Sequence, residues 1–217
     1  MRKFIEQLKR DENLYSYNPA QCLVFFNAKQ PYFELSNMAT EYPIKFDGKV
    51  WNSSEALYQA CKYANDLEVL PKSGNATIAN VRERILKSKN AMAAKMTQKC
   101  AKNYIRPDWD EIKIEVMLLV LLLKYKQHIK VRMPLAYAKE EGLQIVERSS
   151  KDKFWGAVLD KESNMLVGKN MLGRLWTFIA NHPNLYKEID VEKELLKYHN
   201  FENKEKAKGL TNASAAD

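Results

Sequence analysis

The run VMLLVLLL at residues 116–123 constrains this chain more than any other stretch. Eight successive apolar residues cannot be sorted onto one face of a helix or strand, so the segment has to be covered on every side. It is far short of the roughly 20 residues that span a bilayer, which leaves the middle of a folded core. Pro107, Asp108 and Asp110 just upstream suit a helix N-terminus, and polar residues follow. The sequence therefore predicts one core helix ending near Gln127, with the rest of the chain wrapped around it. A chain of 217 residues can bury one such core and hardly two.

The remaining segments read mostly as helices. Phe4, Ile5 and Leu8 fall at helical spacing near the N-terminus, so residues 1–20 are expected to form an amphipathic helix and its lead-in. CLVFF at 22–26 suits a buried strand, and PIKF and KVWN flank Asp47-Gly48, a type I′ hairpin signal. WNSSEALYQACKY at 51–63 continues from that hairpin as a helix, with Asn52 as its expected cap. NATIANVRERILKSK and AMAAKMTQK predict two helices meeting near Asn90. LQIVE at 143–147 reads as a strand, KDKFWGAVLD as a loop, and GKNMLGRLWTFIANH as a last core helix. Residues 183–217 are expected to form a charged C-terminal helix and a disordered tail, since their end, NKEKAKGLTNASAAD, has too little apolar content to order itself. The expected class is mainly α with a few short strands (α+β), in a single compact domain.

The net charge of +8 favours a polyanionic partner. The excess is concentrated at 81–107, where Arg82, Arg84, Lys87, Lys89, Lys95, Lys99, Lys102 and Arg106 stand against Glu83 alone. Cys22, Cys61 and Cys100 are scattered and odd in number, which points to a reducing cytoplasm and not to a disulfide framework. The N-terminus has no apolar core of the signal-peptide kind, and no membrane association is expected.

Several chemistries lack their residues. The three histidines form no HExxH or similar pattern, so no metal site is expected. There is no Walker A loop, no GxGxxG and no GxSxG. Carboxylates, lysines, amides and aromatics remain. Glu55, three residues after Asn52, reads on spacing as half of a capping box. It also shares a helix face with Lys62, one heptad on and about 10.5 Å along the axis, with Tyr58 and Gln59 between them. Such a stripe could line a pocket the size of one sugar, and spacing leaves both readings open.

Taken in order, ELSNM (34–38), the hairpin ending at Trp51, SEALYQACKY, RPDW (106–109), VERSSKDKFWGA (146–157) and LVGKNMLGRL (166–175) resemble the NADAR family of YbiA-like N-glycosidases. The resemblance runs from about residue 25 to 179, inside a predicted domain of residues 21–182. It implies hydrolysis of an N-glycosidic bond of ribose without a cofactor. One family branch destroys ribosylamino-pyrimidine intermediates of riboflavin biosynthesis. Another, found with DarT-type toxins, removes ADP-ribose from guanine bases in DNA. The riboflavin branch usually reads TSEHYFQAQKF at the helix. Ala56 replaces that histidine here, and SEALYQAC, KDKFWGA and LVGKNMLGRL look more like the toxin-associated, DarG-type branch.

The resemblance further implies roles. Glu55 would shuttle the proton at the sugar, and Lys62 would orient the ribose or attack its C1 to give a Schiff base. Asp152 would hold hydroxyls or assist proton transfer. Ser36, Asn37, Tyr58, Gln59, Trp109, Trp155, Gly156 and Asn170 would surround the substrate, although Leu35 stands where the family's FSN turn has Phe. With ADP-ribosylated DNA as partner, Arg82, Arg84, Lys87, Lys95, Lys99, Lys102 and Arg106 would meet phosphates. A small ribosyl nucleotide is the alternative substrate, and a non-catalytic ADP-ribose reader the alternative of another class.

Overall fold

In the computed structural model, residues 1–64, 68–69 and 79–200 are described, apart from the side chains of residues 68, 69, 79 and 98–100. The elements run α1 (Arg2–Arg10), β1 (Tyr15–Tyr17), β2 (Cys22–Phe25), β3 (Ile44–Phe46), β4 (Lys49–Trp51), α2 (Ser54–Ala60), β5 (Glu68–Val69), β6 (Ala79–Asn80), α3 (Val81–Leu86) and α4 (Ala91–Ala101). They continue with α5 (Trp109–Gln127), α6 (Ile129–Glu140), β7 (Gln144–Ser149), β8 (Ala157–Leu159), β9 (Leu166–Gly168), α7 (Met171–Asn181), α8 (Leu185–Glu188) and α9 (Val191–His199).

The apolar run does sit at the centre. Residues 118–123 are each 0% exposed, because α1, α2, α6, α7 and α9 surround α5. No described helix is long and apolar enough to cross a membrane. The hairpin β3–β4 pairs Ile44 with Trp51, and its turn puts both Asp47 and Gly48 at positive φ, as a type I′ turn requires.

Beside the helices lies a mixed five-stranded sheet in the order β1-β9-β8-β7-β2. β7 is parallel to β2 on one side (Phe25 opposite Glu147) and to β8 on the other (Arg148 opposite Ala157). Between β7 and β8 only residues 150–156 are available for the return, so SKDKFWG is drawn across the carboxyl end of β7. Its expected loop character ends at Gly156, since the next three residues form β8.

Three expectations need correction. Helix α6 was not predicted, because Pro134 inside it and mixed polarity break the helical pattern. The helix predicted at 75–89 is reduced to α3, with Ala79–Asn80 already in a strand and its start outside the described residues. The cap of α2 is Ser53, whose Oγ accepts from Ala56 N at 3.2 Å, and not Asn52. Asn52 turns away, donating to Ser88 O at 2.7 Å and accepting from Ser53 Oγ.

Candidate active site

The shift of the cap by one residue changes what Glu55 does. A capping-box glutamate reaches back to the helix start, whereas Glu55 points along α2 and accepts from Gln59 Nε2 at 2.7 Å. Its backbone N–H donates to Asn37 O at 3.1 Å, so the ELSNM turn anchors the first turn of α2. That turn is itself held from the core: Lys124, fully buried in α5, donates to Ser36 O at 2.7 Å. Ser36 and Asn37 are both buried, and Asn37 Nδ2 meets Met117 Sδ at 3.2 Å. Asn37 Oδ1 and Gln59 Oε1 are buried with no donor among the described residues. Such orphaned acceptors are uncommon in folded proteins.

Lys62 lies beyond the end of α2, past the C-cap Cys61, and not within a continuous helix as its heptad spacing implied. The tightened last turn (Lys62 N to Gln59 O, 3.2 Å) swings it against an aromatic wall. Its Nζ is 5.4 Å from the Tyr58 ring centre and 5.5 Å from that of Trp109. Tyr58 packs at 5.0 Å on Trp109 and at 5.7 Å, edge-on, to Trp155. Burial among these rings disfavours the ammonium form, against the pull of Glu55, and brings the Lys62 pKa down to about 8. Burial, and then the charge of Glu55, push the Tyr58 hydroxyl well above its ordinary range.

Trp155 is held by an interlock of loop and helix. The first N–H groups of a helix have no partner inside it. Here Asn170 N, Met171 N and Leu172 N donate to Gly156 O, Phe154 O and Trp155 O at 3.2, 3.0 and 2.9 Å. Asp152 tightens the same loop, its Oδ1 accepting from Phe154 N and Trp155 N at 2.8 and 2.9 Å. Asp152 is exposed, and this oxygen is spent on the turn. Asn170, 1% exposed, bridges β7: its Nδ2 donates to Ile145 O at 2.9 Å and its Oδ1 accepts from Glu147 N at 3.0 Å. Its amide thus bridges two backbone groups of β7, and it also bonds the Tyr17 side chain.

Glu147 escaped the sequence reading. It is partly accessible yet closely surrounded by protein. Burial, then Asp152 and Glu55, raise its carboxyl pKa to about 8. A Cβ on Gly156 would lie 2.7 Å from Glu147 O and 3.4 Å from its Oε2, so only glycine lets the loop pass. The signal was the acid ending LQIVE, four residues before the start of KDKFWG.

The basic segment divides. Arg82 and Arg106 are buried, correcting their assignment to phosphates. Arg82 donates to His199 O at 2.6 Å and contacts His199 Nε2, and Arg106 donates to Tyr198 O at 2.7 Å and pairs with Asp108. Both guanidinium groups hold the last turn of α9. Arg84 is half-buried, and exposed Lys87 pairs with Glu83. Lys95 and Lys102 are exposed, and Lys95 acts electrostatically on both Lys62 and Glu147. The Lys99 side chain lies outside the described residues.

Acids, an amine of lowered basicity and an aromatic wall thus meet on an α+β scaffold, the inventory of a centre that can move protons. The chain belongs to the NADAR family: the model described as NADAR domain matches residues 24–179. N-glycosidase YbiA of Escherichia coli (strain K12) is 30% identical over 152 residues, covering 70% of this chain and 81% of the relative. N-glycosidase Npun_R5314 of Nostoc punctiforme is 28% identical over 152 residues, 69% of this chain and 88% of its own. The riboflavin biosynthesis protein VVA0006 of Vibrio vulnificus is 29% identical over 140 residues, 64% of this chain but 33% of its own. The NMR structure of the E. coli protein YbiA superposes with a TM-score of 0.59 at 26% identity, covering 79% of this chain and 93% of that one. The enzyme class is thus a hydrolase acting on N-glycosidic bonds.

Proposed function

We propose that this chain removes ADP-ribose from guanine bases of DNA by hydrolysing the N-glycosidic bond, reversing a modification of the DarT type. The observation that carries the catalytic part is the pairing of Glu55, oriented by Gln59, with Lys62 under the wall of Tyr58, Trp109 and Trp155. Breaking the bond builds positive charge at C1, which a carboxylate stabilises while it activates the attacking group. With its pKa near 8, Lys62 is neutral in roughly a tenth of molecules at pH 7. That is enough for attack at C1, while the ammonium form orients the ribose hydroxyls. Trp155, half-buried at the rim, offers a face for stacking a base.

The DNA reading draws on Ala56, in place of the riboflavin-branch histidine, and on the exposed Lys95 and Lys102. A riboflavin-pathway ribosylamino-pyrimidine is the second reading, favoured by the name of the Vibrio relative. The two separate in one experiment. The protein is incubated with an oligonucleotide ADP-ribosylated on guanine and, in parallel, with ribosylamino-pyrimidine phosphate. The expected result is release of ADP-ribose from the first, slowed at least about 100-fold in Glu55→Gln. Turnover of the pyrimidine alone sinks the DNA reading, and ADP-ribose binding with no turnover of either makes the protein a reader. Borohydride added during turnover is expected to trap sugar on Lys62 if the amine attacks.

A further inference from the structure

We propose that Glu147 is a further catalytic residue, the acid that protonates the departing nitrogen as its bond to C1 of the ribose breaks. This role rests on the N-glycosidase reading and adds the proton source that Glu55 and Lys62, assigned to the sugar side, leave unassigned.

The placement is built by three elements. Glu147 lies where β7 passes from its pairing with β2 to its pairing with β8, towards the carboxyl end of parallel strands. Ligand crevices of α/β sheets open at that end. Asn170 fixes its backbone through the 3.0 Å bond to Glu147 N and the 2.9 Å bond to Ile145 O. Gly156 lets the returning loop pass against the Glu147 carbonyl, which a Cβ would meet at 2.7 Å, with the carboxyl oxygen Oε2 3.4 Å from the same position. The charged groups that act on it are Asp152 from that loop, Glu55 from α2 and Lys95 from α4. Burial first, and then two anions against one cation, favour a neutral carboxylic acid, and its pKa is pushed up to about 8. A carboxyl held neutral near neutral pH can serve as a general acid.

In the step, the O–H of Glu147 gives its proton to the nitrogen while the C1–N electron pair goes with that nitrogen. Water, or Lys62 and then water, supplies the new bond at C1, and Glu55 takes the proton released. Passing that proton from Glu55 to Glu147 restores both groups, and the net change is addition of one water across the bond.

A general acid is dispensable when the leaving group needs no proton. The test compares Glu147→Gln and wild type on whichever N-linked substrate the wild type turns over, and on 4-nitrophenyl β-D-ribofuranoside, whose phenolate departs unaided. Expected is a loss of at least about 100-fold on the N-linked substrate and less than about threefold on the nitrophenyl riboside, with partial rescue by Glu147→Asp. The alkaline limb of kcat/KM, to which Lys62 also contributes, should change between wild type and Glu147→Gln. Equal losses on both substrates would reduce Glu147 to a structural role, and an unchanged rate on the N-linked one would remove it from the reaction. If the wild type ignores the nitrophenyl riboside, an alkaline limb identical in the two proteins overturns the proposal. A wild type that hydrolyses neither N-linked compound takes down the N-glycosidase reading itself, a distinct outcome.

Discussion

Lys124 sets an amine directly after the apolar run of α5, bound to Ser36 O and with no solvent contact. Burial brings its pKa from 10.5 down to about 7. Between those values the unfolded chain holds more protons than the folded one, so this group makes stability rise with pH. Glu147 works the other way: folding raises its pKa from 4.5 to about 8, so its contribution falls over that interval. Lys62 adds to the rise only above about pH 8. Thermal unfolding followed from pH 7.5 to 9 is expected to show Tm climbing in the wild type and climbing less in Lys124→Met. At this scale the sequence singled out Glu55 and Asp152 and missed Glu147. Glu55, Tyr58, Gln59, Lys62, Trp109 and Trp155 could be gathered from motifs, whereas Glu147 ends a strand that looks solvent-facing. What encloses it is the return of residues 150–156, a tertiary event with no local periodicity.

At the scale of elements, the site depends on how two helices begin. Ser53 closes the start of α2, and Ser53→Ala should cost about 1 kcal/mol in urea unfolding. The start of α7 is closed by the carbonyls of residues 154–156, so the helix and the loop bearing Trp155 order together. Gly173 in α7 leaves no space for a side chain, since a Cβ would fall 2.1 Å from Ile145 O and 2.5 Å from the Asn170 amide. Gly173→Ala is therefore expected to destabilise by about 1–3 kcal/mol or more in the same assay. The start of α2 was readable within a residue, but one residue matters. Choosing Asn52 over Ser53 made Glu55 look like a cap, because both side chains are good cap formers and only the Ser88 contact decides between them.

For the whole molecule, the core helix and the Asp-Gly hairpin were legible because each is written locally. The sheet order was not, because β2 meets β7 across most of the chain. The basic segment shows the same limit: charge can be counted from sequence, but the direction of each guanidinium cannot. Arg82 and Arg106 tie α9 to the elements around α2, and Arg106 N also donates to Lys62 O at 2.9 Å. Arg82→Ala is expected to speed amide exchange across residues 191–199 while leaving unchanged the salt dependence of binding to the proposed DNA substrate. Lys95→Ala should leave exchange alone and lower the slope of log K against log salt by about one.

The aromatic wall also equips the protein with an optical readout. Of its four tryptophans, Trp51 and Trp176 are sealed in the core, at 1% and 0% exposure. Trp109 and Trp155 both border Tyr58, and the Lys62 amine lies 5.5 Å from the Trp109 ring. Intrinsic emission therefore splits into a steady core component and one that senses charge and occupancy at the site. A ligand stacking there should quench the second component alone, so a Trp51→Phe, Trp176→Phe background would turn unlabelled protein into its own binding assay.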